Sequence, residues 1–270
     1  METEIITKKQ DLTFLKWAHA RTSSGTAGTF LKSESSLTGK KVYYKLSNYD
    51  QIYGVVGHEC VNEIIADRLL TVLGVEHLHY RLINAEIEIE GKRYQTWLCE
   101  SEDFKKRGES KIALDDYYRV NAAGSESHYD FCVRNGWKKY IDEMIAFDFL
   151  ILNRDRHGAN IEVLRNARAH TLRISPLFDH GLSLLYSCMS DREASGFDIM
   201  EDKRCQNFIG SYSCFENLKL IEDKKAVFAN KLKESDSGFI FDGLEDVISG
   251  VFLDKIRDMI YKRYEIYDSL

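Results

Sequence analysis

Three polar residues stand at a spacing that suits phosphoryl transfer: Asp155, Asn160 five positions later, and Asp179 in an Asp-x-Gly setting. In that chemistry one aspartate accepts the proton of the attacking hydroxyl, while an amide oxygen and a second aspartate hold the metal that bridges the phosphates. Asp155 and Asn160 on one tight loop can face a common centre. A hairpin can then bring Asp179 back to the same end, and the segment between them reads as one, with strands at 161–164 and 171–174 and a turn at Asn166-Ala167-Arg168-Ala169. Carboxylate and amide oxygens are the ligands a hard magnesium ion prefers. Asn, Asp and Gly also crowd ordinary turns. The weight therefore lies on the conjunction of Asp-x-x-x-x-Asn, hairpin and Asp-x-Gly, directly after the apolar run 145–152.

Such a set needs a partner for the phosphates. Thr22, Ser23, Ser24, Gly25 and Thr26 form a small-residue loop ahead of the strand Val42-Tyr43-Tyr44-Lys45-Leu46. Small residues let backbone N–H groups approach phosphate oxygens, and hydroxyls add donors. Lys45 is the candidate to neutralise the nucleotide phosphates. The next element reads as a helix over 57–73, with Val61, Ile64, Ile65, Leu69, Val72 and Leu73 on its apolar side, and it ends at Gly74. It carries Glu59 and Glu63 one turn apart, and a helix glutamate is what fixes such a lysine.

Asn153-x-Asp155-Arg156-His157-x-x-Asn160 followed by Pro176-Leu177-Phe178-Asp179-x-Gly181 resembles the signature of the HipA-like serine/threonine kinases, bacterial proteins that include toxin kinases and small CtkA-type stand-alone kinases. The loop is also similar to that of phosphatidylinositol kinases. The resemblance runs from about Ser23 to the last helices and is specific only around 153–181. It implies ATP and Mg2+ as cofactors, a protein serine or threonine as acceptor, and autophosphorylation of a serine near the phosphate site. Asn62-Glu63 is similar to an Asn-Glu of the family, which favours Glu63 over Glu59 as the partner of Lys45. His157 lies after the aspartate, unlike the His-Arg-Asp order of ordinary protein kinases, so a packing or backbone-bonding role near the nucleotide is expected for it. Arg154 and Arg156 could hold a phosphate or a loop, with surface salt-bridging as the equal alternative. HipA toxins carry an extra amino-terminal subdomain for which few residues precede Ser23. Toxin activity and an antitoxin partner therefore do not carry over from the resemblance, and an antitoxin partner is left open without support from the sequence.

Composition narrows the class. A chain of 270 residues can fold without staples as one large domain or as two lobes sharing a cleft. Its six cysteines form no Cys-x-x-Cys pair, which suggests neither a zinc framework nor disulfides and fits a reducing cytoplasm, with export to a host cell left open. The first residues lack a basic-then-apolar pattern. No apolar run approaches the roughly 20 residues of a membrane span. A net charge of −6 argues against nucleic acid as the main partner, and Lys105-Lys106-Arg107 reads as a solvated loop.

The remaining chain supplies supports. Residues 11–20 are predicted as a short helix on the first lobe, and 77–99 as a hairpin joined at Gly91-Lys92. Cys99-Glu100-Ser101 falls where a hinge would meet an adenine edge, a placement that rests on order along the chain. Helices are predicted over 112–120 and 137–151, the second apolar almost all round, and over 217–233, 240–250 and 252–267. The expectation is a two-lobed α+β protein-kinase-like fold, with a small antiparallel-sheet lobe at 1–98 and a mainly helical lobe at 99–270. Asp155, Lys45 and Glu63 would be catalytic. Ser23, Ser24, Gly25, Thr26, Lys45, Glu100 and His157 would contact ATP, and Asn160 and Asp179 the metal. The alternatives are a lipid or small-molecule kinase, or an ATP-binding pseudokinase that serves as an interaction module.

Overall fold

The computed structural model describes residues 4–21, 27–36 and 40–270, and for 19–21 and 27–29 the backbone alone. The first lobe opens with β1 (Glu4–Asp11), β2 (Ala18–Arg21), β3 (Ala27–Ser35) and β4 (Val42–Leu46). The helix expected over 11–20 is absent. Asp11 instead accepts hydrogen bonds from the backbone N–H and hydroxyl of Thr13, and Leu12 N–H donates to Glu86 O at 2.9 Å, which makes a turn out of a strand. Leu12, Leu15 and Trp17 reach the sheet core all the same, so an apolar spacing read as helical is satisfied by strand and turn.

A short ribbon of β5 (Tyr49–Asp50) and β6 (Gly54–Val55) leads to α1 (Glu59–Leu73). The long hairpin of β7 (Tyr80–Ile89) and β8 (Lys92–Glu102) then completes a sheet of order β1-β7-β8-β4-β3-β2. Every neighbouring pair is antiparallel except β1 with β7, which is parallel, so the sheet is mixed where an all-antiparallel one was expected. The hairpin turns at Glu90-Gly91, one residue earlier than predicted. Both residues have positive φ (52° and 78°), as a two-residue hairpin turn with the sheet's twist requires. β8 runs unbroken to Glu102, so a lobe boundary at 98/99 would fall inside a strand, and the chain leaves the sheet only at Asp103.

The second lobe contains β9 (Ser110–Ala113), α2 (Leu114–Asn121), α3 (His128–Arg134), α4 (Lys138–Leu150), β10 (Asp155–Arg156), β11 (Glu162–Asn166) and β12 (Thr171–Ile174). β11 and β12 form the predicted hairpin, and β9 joins it as a third strand. α5 (Asp191–Gly196), β13 (Gln206–Asn207), α6 (Cys214–Leu218), α7 (Ser237–Phe241) and α8 (Gly250–Ser269) follow. The helices predicted over 217–233 and 240–250 are not present. Leu218, Ile221, Val227 and Leu232 are buried one by one from a short helix and irregular chain. The helices predicted over 112–120, 137–151 and 252–267 are met by α2, α4 and α8, the last capped at Ser249.

α1 and α4 lie at the centre. Ile64, Phe147 and Ile256, from α1, α4 and α8, belong to one continuous core that spans both lobes, while the other face of the large sheet has its own cluster around Leu46 and Leu98. Among the described residues no helix is long and apolar enough to cross a membrane.

Candidate active site

The two lobes meet where β4, α1 and the turn after β12 converge. Lys45 points from the sheet toward α1, and its Nζ lies 2.8 Å from Glu63 Oε1 and 2.5 Å from Asp179 Oδ1. Glu63 is fully buried, and its other oxygen accepts the backbone N–H of His180 at 2.8 Å. Asn62, the residue before it, donates from its amide to Gly181 O at 3.0 Å and Ser183 O at 2.9 Å. Two successive residues of α1 thus grip the Asp-x-Gly turn. Gly181 is needed for that closeness, because a Cβ there would lie 3.2 Å from Lys45 Nζ and 3.2 Å from Glu59 Cβ. Asp179 itself has φ 61°, a left-handed conformation that aspartate tolerates better than most residues, and its N–H reaches Tyr80 Oη at 3.3 Å.

Charge holds this cluster in its ionised form. Burial alone would lower the Lys45 ammonium, but the Asp179 and Glu63 carboxylates beside it hold it well above the ordinary lysine value. Burial would likewise raise Asp179, yet the charges of Lys45 and Lys32 and the hydrogen bond from Lys45 press it far below the carboxylate range. Glu59 is buried without such a cation in contact, accepts the N–H of Asn48 at 3.2 Å, and is pushed up by burial. Of the two helix glutamates, Glu63 is the one bonded to Lys45.

The loop 153–160 is positioned by a buried ion pair. Arg156, read from sequence as a candidate for phosphate, loop or surface contacts, is inside the protein, with Nε and Nη2 at 3.0 and 2.9 Å from the two oxygens of Asp148 on α4. Its Nη1 donates to Phe178 O at 2.8 Å, so this one side chain joins α4, the 153–160 loop and the residue before Asp179. Arg154 lies near the surface and donates to Arg204 O. His157 closes the turn, its Nδ1 accepting the N–H of Ala159 at 3.2 Å and its Nε2 standing 3.8 Å from Asp155 Oδ2. Asp155 is half-buried and pushed up by burial, with His157 opposing that shift and the Asp179 charge adding to it. Asn160 donates its amide N–H to Asp155 O at 2.8 Å, which leaves its side-chain oxygen as an acceptor. The oxygens of Asn160 and Asp179 are the donor set a hard divalent cation takes, so these residues fit a magnesium ion.

Beside the cluster lies a cavity of about 450 Å3, within the range of small-ligand sites. Lys32, Lys45 and Asp179 are among the charged residues that line it, together with Lys16, Lys111 and Glu162, and Leu78, Tyr80, Phe104 and Phe178 give it apolar walls. Asp155, Asn160 and His157 lie outside its lining, on the loop beyond Asp179. Glu100 is a correction to the expected hinge. It is buried two residues before the end of β8, its backbone registered with both Tyr44 and Arg81, and its side chain pairs with Arg81, while its neighbours Cys99 and Ser101 line the cavity. Alternation along a strand turns one residue away for each one turned in, and the chain becomes free for edge contacts only near 102–104. Ser23, Ser24, Gly25 and Thr26 lie outside the described residues. Sequence reasoning missed Lys32, which sits opposite Lys45 on β3, and the Asp148–Arg156 pair, whose one signal was an aspartate in the apolar last two turns of α4.

No protein-family model and no curated protein matches the chain. Solved structures do. The chain is similar to the crystal structure of a Helicobacter pylori proinflammatory kinase, CtkA, at a TM-score of 0.63 and 15% identity, covering 96% of each chain. It is also matched to the Shewanella oneidensis MR-1 toxin–antitoxin system HipA, HipB and operator DNA complex, at a TM-score of 0.45 and 16% identity, covering 93% of this chain and 59% of that one. The chain has the two-lobed α+β fold of the CtkA kinase.

Proposed function

We propose that this chain, sharing the CtkA fold, is a phosphotransferase that moves the terminal phosphoryl group of ATP to a serine or threonine hydroxyl of a protein. The observation that carries this reading is Lys45, on the wall of the cavity, held at once by Glu63 and Asp179 in a buried charge network that carries a desolvation cost.

Lys45 would present its ammonium to phosphate oxygens, and Lys32 would add a second positive charge from the facing strand. Asn160 and Asp179 would hold magnesium, which when bound neutralises the charge of the transferring group. Asp155, whose carboxyl is raised by burial above its ordinary value, would orient the acceptor hydroxyl and take its proton. Arg156 keeps the loop of Asp155 and the turn of Asp179 at a fixed separation, since positioning supplies most of the catalysis in phosphoryl transfer. The stretch 22–29 carries hydroxyls of its own as acceptors, and a phosphate there would repel a bound triphosphate.

Incubating the protein with labelled ATP, magnesium and a host lysate tests this. Labelled protein bands that vanish in the Asp179→Asn variant support it. Label appearing only in lipid or small molecules would reassign the acceptor, and tight ATP binding with no transfer to any acceptor would make the chain a pseudokinase.

A further inference from the structure

Behind the cleft, three side chains with metal-binding atoms converge. Asp67 on α1 is buried, and its Oδ1 lies 2.8 Å from His77 Nε2 and 3.0 Å from His79 Nδ1. All three ligand atoms fall within 4.8 Å of one another. Neither the phosphoryl-transfer reading nor the core uses them.

The hydrogen bonds around the cluster decide what it can be. His77 Nδ1 is 2.7 Å from Val75 O, and a carbonyl can only accept, so this nitrogen carries the proton. A neutral His77 then turns the lone pair of Nε2 toward a carboxylate oxygen at 2.8 Å, which is repulsive unless a positive centre stands between them. That centre is either a second proton on the ring or a metal ion. The other oxygen of Asp67 accepts Tyr80 N–H, at 2.6 Å. Both outer contacts, an imidazole N–H on a backbone carbonyl and a ligand carboxylate held by a backbone N–H, are the supports that orient metal ligands.

We propose that Asp67, His77 and His79 bind a divalent transition metal ion of the zinc class. Two imidazoles and one carboxylate form a borderline donor set that suits zinc and cobalt rather than magnesium or calcium. Ligands bound at about 2.0–2.1 Å around a tetrahedral ion stand about 3.3 Å apart, so the two separations from Asp67 Oδ1 need to open by about 0.3–0.5 Å, and the two histidine nitrogens already lie within 4.8 Å of each other. His79 is partly exposed, which leaves room for water as the fourth ligand.

The position gives the ion a structural role. Asp67 lies one helical turn beyond Glu63 on the same face of α1. The segment that carries the histidines is fastened to the chain before Asp179, with Leu78 N–H donating to Leu177 O at 2.8 Å and His77 bridged to Leu177. A metal here would tie the helix bearing Glu63 to the strand that abuts the Asp179 turn.

Chelator-treated protein titrated with CoCl2 in excess magnesium tests the assignment, since magnesium occupies oxygen-only sites while cobalt in the tetrahedral site proposed here gives an intense visible band. One equivalent should develop the band, and His79→Ala should weaken cobalt binding at least about tenfold. X-ray absorption on the zinc-loaded wild type should show two imidazole scatterers, a readout independent of any variant's folding. No band, a titration unchanged by His79→Ala, or fewer than two imidazoles would overturn the proposal and leave a buried histidine–aspartate ion pair. None of these outcomes bears on whether the cleft transfers phosphate.

Discussion

Arg156 and Asp148 form a two-bonded ion pair inside the second lobe, at 2.9 and 3.0 Å, and the same guanidinium holds the carbonyl of Phe178. Replacing Arg156 with alanine would leave Asp148 buried with, among the described residues, the Asn153 amide as its remaining side-chain partner. Such a loss costs about 3–5 kcal/mol. Arg156→Lys should recover little, because an ammonium cannot make the paired bonds and reach Phe178 as well. Urea denaturation of both variants checks this: lysine restoring most of the stability would show that charge alone matters there.

Lys45 and Glu63 should behave as a coupled pair. Lys45→Met strands the carboxylates of both Glu63 and Asp179 and should cost about 3 kcal/mol or more, while Glu63→Gln removes one of the two charges that need Lys45. The double variant should be more stable than the sum of the singles implies, by about 0.5–3 kcal/mol. Additive effects in a double-mutant cycle would mean that the two do not interact in solution.

Gly181→Ala should keep the fold and impair nucleotide use. The new methyl carbon would sit 3.2 Å from Lys45 Nζ, so the lysine must shift by a few tenths of an ångström. A displacement of that size should lower kcat/KM for ATP about tenfold, short of the hundredfold effect of a full ångström. Wild-type kinetics in this variant would show the ammonium position to be uncritical.

Stability should fall in mild acid. His58 is buried at the start of α1, its ring 4.9 Å from that of Phe252, and burial holds its pKa down at about 4 against an ordinary 6.5. The folded state therefore keeps the ring neutral while the unfolded chain takes up a proton. The contribution is complete above about 6.5 and is lost as pH falls toward about 4, by at most about 1.4 kcal/mol per pH unit. Denaturation curves at pH 7 and 5 should show a smaller loss in His58→Leu than in wild type, and an equal loss would exclude His58 as the source.

Much of the cleft was legible because its residues are local in sequence or ordered along it. Lys45, Glu63 and Asp179 meet in the structure, and the strand of Lys45 precedes the helix of Glu63 with only the short β5–β6 ribbon between them, while Asp155 and Asn160 share one loop ahead of the hairpin that leads to Asp179, so spacing and order along the chain pointed to them. What depends on distant packing was not. The stretch 11–20 has an apolar spacing that a turn and strand satisfy as well as a helix, because the partner, Glu86, is more than seventy residues away. The same holds for 217–233, where Ile221 and Val227 are drawn into the core singly. Glu100 was misplaced because order along the chain located the strand and not which of its residues face the cavity. Asp67, His77 and His79 gave no signal, since their convergence exists only once α1 packs against the start of β7.

Asp155 is where transfer chemistry and simple nucleotide binding part company, because a group that takes a proton acts in the transition state more than in the bound ground state. Burial raises its carboxyl, so the acid limb of the rate should lie above the ordinary aspartate range and fall away as pH drops through it. The direct measurement pairs ATP affinity by calorimetry with turnover for wild type and Asp155→Ala. Unchanged affinity with turnover reduced by about 10²–10⁴-fold is the expected result. A variant that keeps most of its rate would contradict the assignment of this cleft as a phosphoryl-transfer site built around Asp155.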